Sequence, residues 1–186
     1  MKKNILKLGV LSGVLCLTLA TSCIEEEPVE ETTIVTDDNT DDEFTVWSGE
    51  SITFTKETAT DANLEVNQDR ITDNVWLTRS SETGDILFNA AVETKVDDAR
   101  TTPTGTEWAL GSVEDLGVQD ALTFGTFKEV SGSLRAIAGK SFVVHLLEED
   151  VYLSLTFISW DNGSRNGDGG SGGGFSYSRS TPTIVE

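Results

Sequence analysis

Cysteine is nearly missing from this chain, with Cys16 and Cys23 the only two in 186 residues. Histidine is rarer still, and His145 stands alone. Each shortage removes a class of chemistry. A zinc site takes three or four Cys, His or carboxylate ligands, and one histidine with two N-terminal cysteines offers too few. A Ser-His-Asp or Cys-His centre would have to use His145. That residue alternates with Val143 and Leu147, so it falls on a mixed, half-buried face where a hydrogen bond from a neighbouring strand is the expected partner. No G-x-S-x-G occurs. An enzyme is therefore not expected. Basic residues are also scarce: 13 Lys and Arg stand against 32 Asp and Glu, for a net charge of −19. Nucleic-acid binding needs a basic footprint, and none is present. There is no internal repeat.

Long apolar runs are lacking too, with one partial exception. Residues 8–24 carry no charge and include "LGVLSGVLCLTLA". A membrane-spanning helix needs ~20 apolar residues, and this run is shorter. Acids follow it where a retained span would often carry Lys or Arg. Lys2, Lys3 and Lys7 precede it. A basic start, a short apolar stretch and small residues at its end (Ala20, Thr21, Ser22) read as a signal peptide over residues 1–22. Cys23 comes next. With Cys16 removed along with the signal, Cys23 has no partner for an intramolecular disulfide, and a lone thiol in an exported protein needs an explanation.

The residues before that cysteine supply one. "LATSC" (19–23) resembles the lipobox of bacterial lipoproteins, in which the cysteine becomes the first mature residue and carries lipid. Leu19 lies four residues before Cys23 rather than three, a looser form similar to that of Bacteroidetes lipoproteins. Cys16 fits poorly, because Val14 and Leu15 before it are bulky. The resemblance implies acylation of Cys23 and a membrane anchor. Two or more acyl chains hold stably where one holds marginally, at ~0.8 kcal/mol per buried CH2.

Residues 24–43, "IEEEPVEETTIVTDDNTDDE", contain ten acids and no Lys or Arg. Such a segment cannot bury enough apolar surface to offset its ordering entropy, so a disordered tether is expected over residues 23–43. It reaches at most ~70 Å stretched and spans roughly 25 Å as a coil. "CIEEE" (23–27) also resembles the acidic stretch that marks Bacteroidetes lipoproteins for the outer face of the outer membrane. The plainer alternative is a solvated spacer.

Residues 44–186 read as one β domain. In "VYLSLTFISW" (151–160), strict alternation places Val151, Leu153, Leu155 and Phe157 on one face. The same alternation assigns Tyr152, Ser154, Thr156, Ile158 and Trp160 to the other. "SFVVHLL" (141–147) pairs with it through "EED" as a hairpin that lacks the usual turn glycine. "NVWLTR" (74–79) and "DILFNAAV" (85–92) make a second hairpin. Further strands are expected at 44–47, 51–55, 106–110, 122–127 and 175–179, with one short turn of helix within 113–122. Many short strands with frequent turn signals argue for an antiparallel β-sandwich, with a barrel or jelly roll as the alternative. The Gly-rich piece 162–174 is expected to be a flexible loop. "TPTGTEWALG" (102–111), "VVHLLEEDVYLSLTFISW" (143–160) and "GGGFSYSRSTP" (172–182) resemble a domain of secreted and surface bacterial proteins. That resemblance supplies no catalytic residues.

Two candidate sites remain. "DNGSRNGDGG" offers Asp161, Asn162, Asn166 and Asp168 as oxygen ligands for calcium. The spacing does not fit an EF-hand, and a plain surface loop is the alternative. The second candidate is Trp76, which alternation places with Arg70, Thr72, Asn74 and Thr78, opposite Ile71, Val75 and Leu77. There Trp76, Arg70 and Asn74 could take a sugar or a partner side chain, or Trp76 could belong to a smaller hydrophobic face. The expected function is lipid-anchored binding or adhesion at the cell surface, with a glycan or an envelope protein as partner and no cofactor beyond the lipid. The rivals are a structural role in envelope assembly and a carbohydrate-active enzyme using two carboxylates.

Overall fold

The computed structural model describes residues 44–81, 86–94, 101–162 and 172–183. The chain divides between Asp37 and Asp38, and every described residue lies in the second part. Cys23, the acidic stretch, Asn166 and Asp168 fall outside the described residues.

The strands are β1 (Thr45–Trp47), β2 (Gly49–Lys56), β3 (Asp69–Arg70), β4 (Trp76–Arg79), β5 (Leu87–Asn89), β6 (Thr106–Leu110), β7 (Ser141–Leu146), β8 (Val151–Trp160) and β9 (Phe175–Thr181). The single α-helix among the described residues is α1 (Phe127–Ser131). The larger sheet runs β2-β9-β8-β7-β6, antiparallel throughout that path. β1 joins β8 in parallel at Val151–Leu153, on residues that β9 does not pair. The smaller sheet runs β3-β4-β5, also antiparallel. Neither sheet closes on itself, so the architecture is an all-β sandwich.

Alternation fills the space between the sheets. Phe142, Val144 and Leu146 of β7, with Leu153, Leu155 and Phe157 of β8, meet Leu77, Leu87, Ile71 and Val75 from the smaller sheet and its flanks. Fully burying each such side chain contributes ~1.5–3 kcal/mol. One end is closed by aromatics. Phe127, the first residue of α1, lies 4.8 Å from Trp108 and 6.0 Å from Phe157, ring centre to ring centre.

Three local features depart from plain alternation, each for a physical reason. First, Trp160 is in the core rather than beside Tyr152. The β8–β9 register shifts between Phe157 and Ser159, and the extra residue turns both Ile158 and Ser159 outward. Second, 122–127 is not a strand. Gly125 makes a single bridge to Trp108, and Thr126 then caps α1. The Thr126 hydroxyl accepts from the Glu129 N–H, while the Glu129 carboxylate accepts from the Thr126 N–H, a reciprocal capping box. The Thr126 hydroxyl also donates to the Glu129 carboxylate at 2.7 Å, and this bond first, then that from the Thr126 N–H, holds the Glu129 pKa below its usual value. Third, the β7–β8 turn works without glycine because Asp150 takes the left-handed conformation, φ +52°, which Asp tolerates better than most residues. The second hairpin forms, but β5 is shorter than its sequence suggests. Its chain turns at Asn89, whose carbonyl accepts from the Val92 and Glu93 N–H groups.

Candidate functional site

Trp76 and Arg70 are cross-strand partners in the β3–β4 pair. Their shared face looks away from the core because Leu77 and Ile71, their neighbours in sequence, point into it. Trp76 is half-buried. The Arg70 guanidinium lies 4.2 Å from its ring centre, a cation–π contact. The indole Nε1 donates to the Thr72 carbonyl at 3.0 Å, so the ring is held at both its face and its edge. Arg70 is itself steered by Glu65, 3.0 Å from Nη1, and by the Gln68 side-chain oxygen.

Asn74 is exposed on the loop leading into β4. Its Nδ2 donates at 3.1 Å to Glu149 Oε1 on the β7–β8 turn. The other Glu149 oxygen is buried with no hydrogen-bond partner. So the structure brings Trp76 and Arg70 together, sets Asn74 on the loop beside them, and adds Glu149 to Asn74. Glu149 could not be singled out in the sequence, where it sits in a plain acidic turn 75 residues away.

A buried hub fixes this loop. Asn89 accepts from the Trp76 N–H through Oδ1 at 2.8 Å and donates through Nδ2 to the Asn74 and Thr104 carbonyls at 2.7 and 2.8 Å. Thr72 Oγ1 accepts from the Asn74 and Val75 N–H groups. The backbone that carries Asn74 and Trp76 is thereby set from two sides.

The described half of the calcium candidate is differently employed. Asp161 Oδ2 accepts from the Thr58 hydroxyl at 2.7 Å, and the Asp161 carbonyl accepts from Arg79 Nη1 at 2.6 Å. Asn162 is exposed. Two buried cations anchor this region. Arg79 also donates to the Gly174 carbonyl and lies 3.9 Å from the Trp160 ring centre. Lys56 Nζ donates to the Thr60 and Gly173 carbonyls. Burial, then the Arg79 charge, lower the Lys56 pKa against an opposing pull from Asp61. Gly172–Gly174, the end of the Gly-rich stretch, are buried in the irregular backbone that leads into β9, rather than exposed. Among the described residues, no group of three or more His, Cys, Asp and Glu side chains is placed to hold a metal ion.

His145 Nε2 lies 2.9 Å from Asp150 Oδ1, and its ring stacks on Tyr152 at 4.2 Å. Its hydrogen-bond partner is thus in the turn rather than on the neighbouring strand.

A buried polar cluster joins the two sheets. Asp69 of β3 receives Arg179 Nε at 2.6 Å and Nη2 at 2.9 Å, a bidentate pair, and the Tyr177 hydroxyl at 2.6 Å. Burial first, then the Asp69 charge, push the Tyr177 pKa well above its ordinary value. Burial alone would lower the Arg179 pKa, but the hydrogen bond and charge of Asp69 turn the net shift upward. With both Asp69 carboxylate oxygens and all three Arg179 guanidinium nitrogens hydrogen-bonded, this cluster binds the sheets together.

No family model matches the chain, and no curated protein or solved structure matches it. Among the described residues, no helix is long and apolar enough to cross a membrane.

Proposed function

We propose that this protein is a lipid-anchored binding module of the outer bacterial surface, carried on Cys23 and an acidic tether. Its ligand is a glycan or the polar surface of an envelope protein. The observation that supports binding at the small sheet is the company of Trp76. A half-buried indole, clamped by Arg70 and Thr72, lies two residues from Asn74, whose side chain holds Glu149. An aromatic face with an amide, a guanidinium and a carboxylate around it can stack on a sugar ring and bond its hydroxyls. Arg70 already lies on one face of the ring, so a sugar must use the other face or displace Arg70. The clamp also suits a structural role in which Trp76 serves only its own sheet.

Retention on a glycan array separates these readings. The exported protein should bind a subset of glycans, and Trp76→Ala should abolish that binding while leaving the thermal midpoint within a few degrees. Glycan retention unchanged by Trp76→Ala, or none by the parent chain, would remove the glycan reading.

A further inference from the structure

Glu149 carries a cost that its surroundings do not explain. Its Oε1 accepts from Asn74 Nδ2 at 3.1 Å, and that is the one hydrogen bond of its side chain among the described residues. Its Oε2 is buried and has no partner there. A carboxylate accepts at both oxygens, and leaving one of them buried and unpaired costs more than it does for a neutral group. Buried polar atoms in folded proteins are otherwise almost always paired. Asp69 makes the contrast. It is the more deeply buried of the two, and both of its oxygens are held by Arg179 and Tyr177.

The Asn74–Glu149 bond can open without disturbing the fold. Glu149 is half-buried on the β7–β8 turn, between the exposed Glu148 and Asp150. Asn74 is exposed, and its side chain makes no other bond among the described residues. The backbone beneath it is fixed separately, by Thr72 Oγ1 and by Asn89 Nδ2. Both side chains can therefore swing while the loop that leads to Trp76 keeps its shape. Opening releases a donor, Asn74 Nδ2, and an acceptor, the Glu149 carboxylate. A hydroxyl satisfies both at once, accepting from the amide and donating to the carboxylate. An ammonium only donates, and a second carboxylate only accepts.

On the reading of Trp76 as part of a binding site, we propose that the Asn74–Glu149 bond is its latch, and that a hydroxyl of an uncharged polyol ligand inserts between the two side chains. Binding then supplies the donor that Glu149 lacks. The group is kept at the expense of stability because the ligand uses it.

Glu149→Gln in the full chain tests both halves of this. The substitution keeps an oxygen for Asn74 and removes the unpaired charge. Its urea midpoint, followed by tryptophan fluorescence, should lie above that of the parent chain. Its apparent affinity for the array glycans that the parent chain binds should fall about tenfold or more, the loss expected for a hydrogen bond to a charged group. No glycan retained by the parent chain would remove the binding reading and the latch with it. Glycans lost by Trp76→Ala but held equally by Glu149→Gln would leave the binding reading standing and overturn the latch alone. A midpoint equal to or below the parent's would also overturn it, since Glu149 would then carry no cost.

Discussion

Arg179→Met should cost about 3–5 kcal/mol of folding stability, the range expected when one partner of a buried ion pair is removed. Asp69 is 6% exposed, and Arg179 supplies two of the hydrogen bonds to its carboxylate. Without Arg179, the carboxylate stays inside the sandwich with only the Tyr177 hydroxyl. A domain of this size has ~5–15 kcal/mol in total, so the loss is a large fraction of it. Urea unfolding followed by tryptophan fluorescence measures the change as a fall in midpoint. The reference is the double variant Asp69→Ala/Arg179→Met. Removing both charges leaves no lone ion, so the double variant should be more stable than Arg179→Met alone, even though it has lost more side-chain atoms. Equal or greater loss in the double variant would mean that the cluster acts by packing rather than by charge compensation.

Gly173→Ala should be nearly as damaging, for a steric reason. Gly173 sits at φ +91°, and a Cβ there would lie 2.4 Å from the Ser80 carbonyl oxygen and 2.8 Å from Ser81 Cα. Both are backbone atoms, so neither can rotate away. Gly139 provides the comparison. Its φ is +85°, yet nothing lies within 4 Å of the added Cβ. Gly139→Ala should therefore cost only the left-handed strain, about 1–2 kcal/mol. Gly173→Ala should add the forced backbone shift, typically ~1–3 kcal/mol more. That shift also moves the carbonyl that Lys56 holds and disturbs the neighbouring Gly174 carbonyl held by Arg79. Thermal unfolding of the two variants side by side reads the difference. Equal midpoints would show that this stretch yields more easily than its packing implies.

Much of the fold was legible because period-two alternation is a local property. Val151, Leu153, Leu155 and Phe157 face the core as their spacing requires. Trp160 escaped because one inserted residue reverses every side chain beyond it, and nothing in "FISW" announces the bulge. The 122–127 segment misled for a different reason. Its β-forming residues are real, but "TFKE" (126–129) is also a capping box, and that local signal decided the outcome. Arg179 was half legible. Alternation puts it on one face with Phe175 and Tyr177, and a charge on an apolar face requires a buried partner. That the partner is Asp69, 110 residues earlier, depends on how the sheets stack. The same holds at the candidate site. Arg70 and Trp76 shared a face on spacing alone, whereas Glu149 reaches Asn74 across 75 residues. The burial of Gly172–Gly174 is not legible in a glycine run, because it depends on packing across the sandwich.

The account turns on Cys23, because anchoring decides which ligands the domain can meet. Detergent phase partitioning of whole-cell protein, comparing the parent chain with Cys23→Ala, tests it most directly. The parent chain should enter the detergent phase, and Cys23→Ala should move the protein to the aqueous phase. If the two chains partition alike, the lipid anchor, and with it the proposed surface binding module, is contradicted.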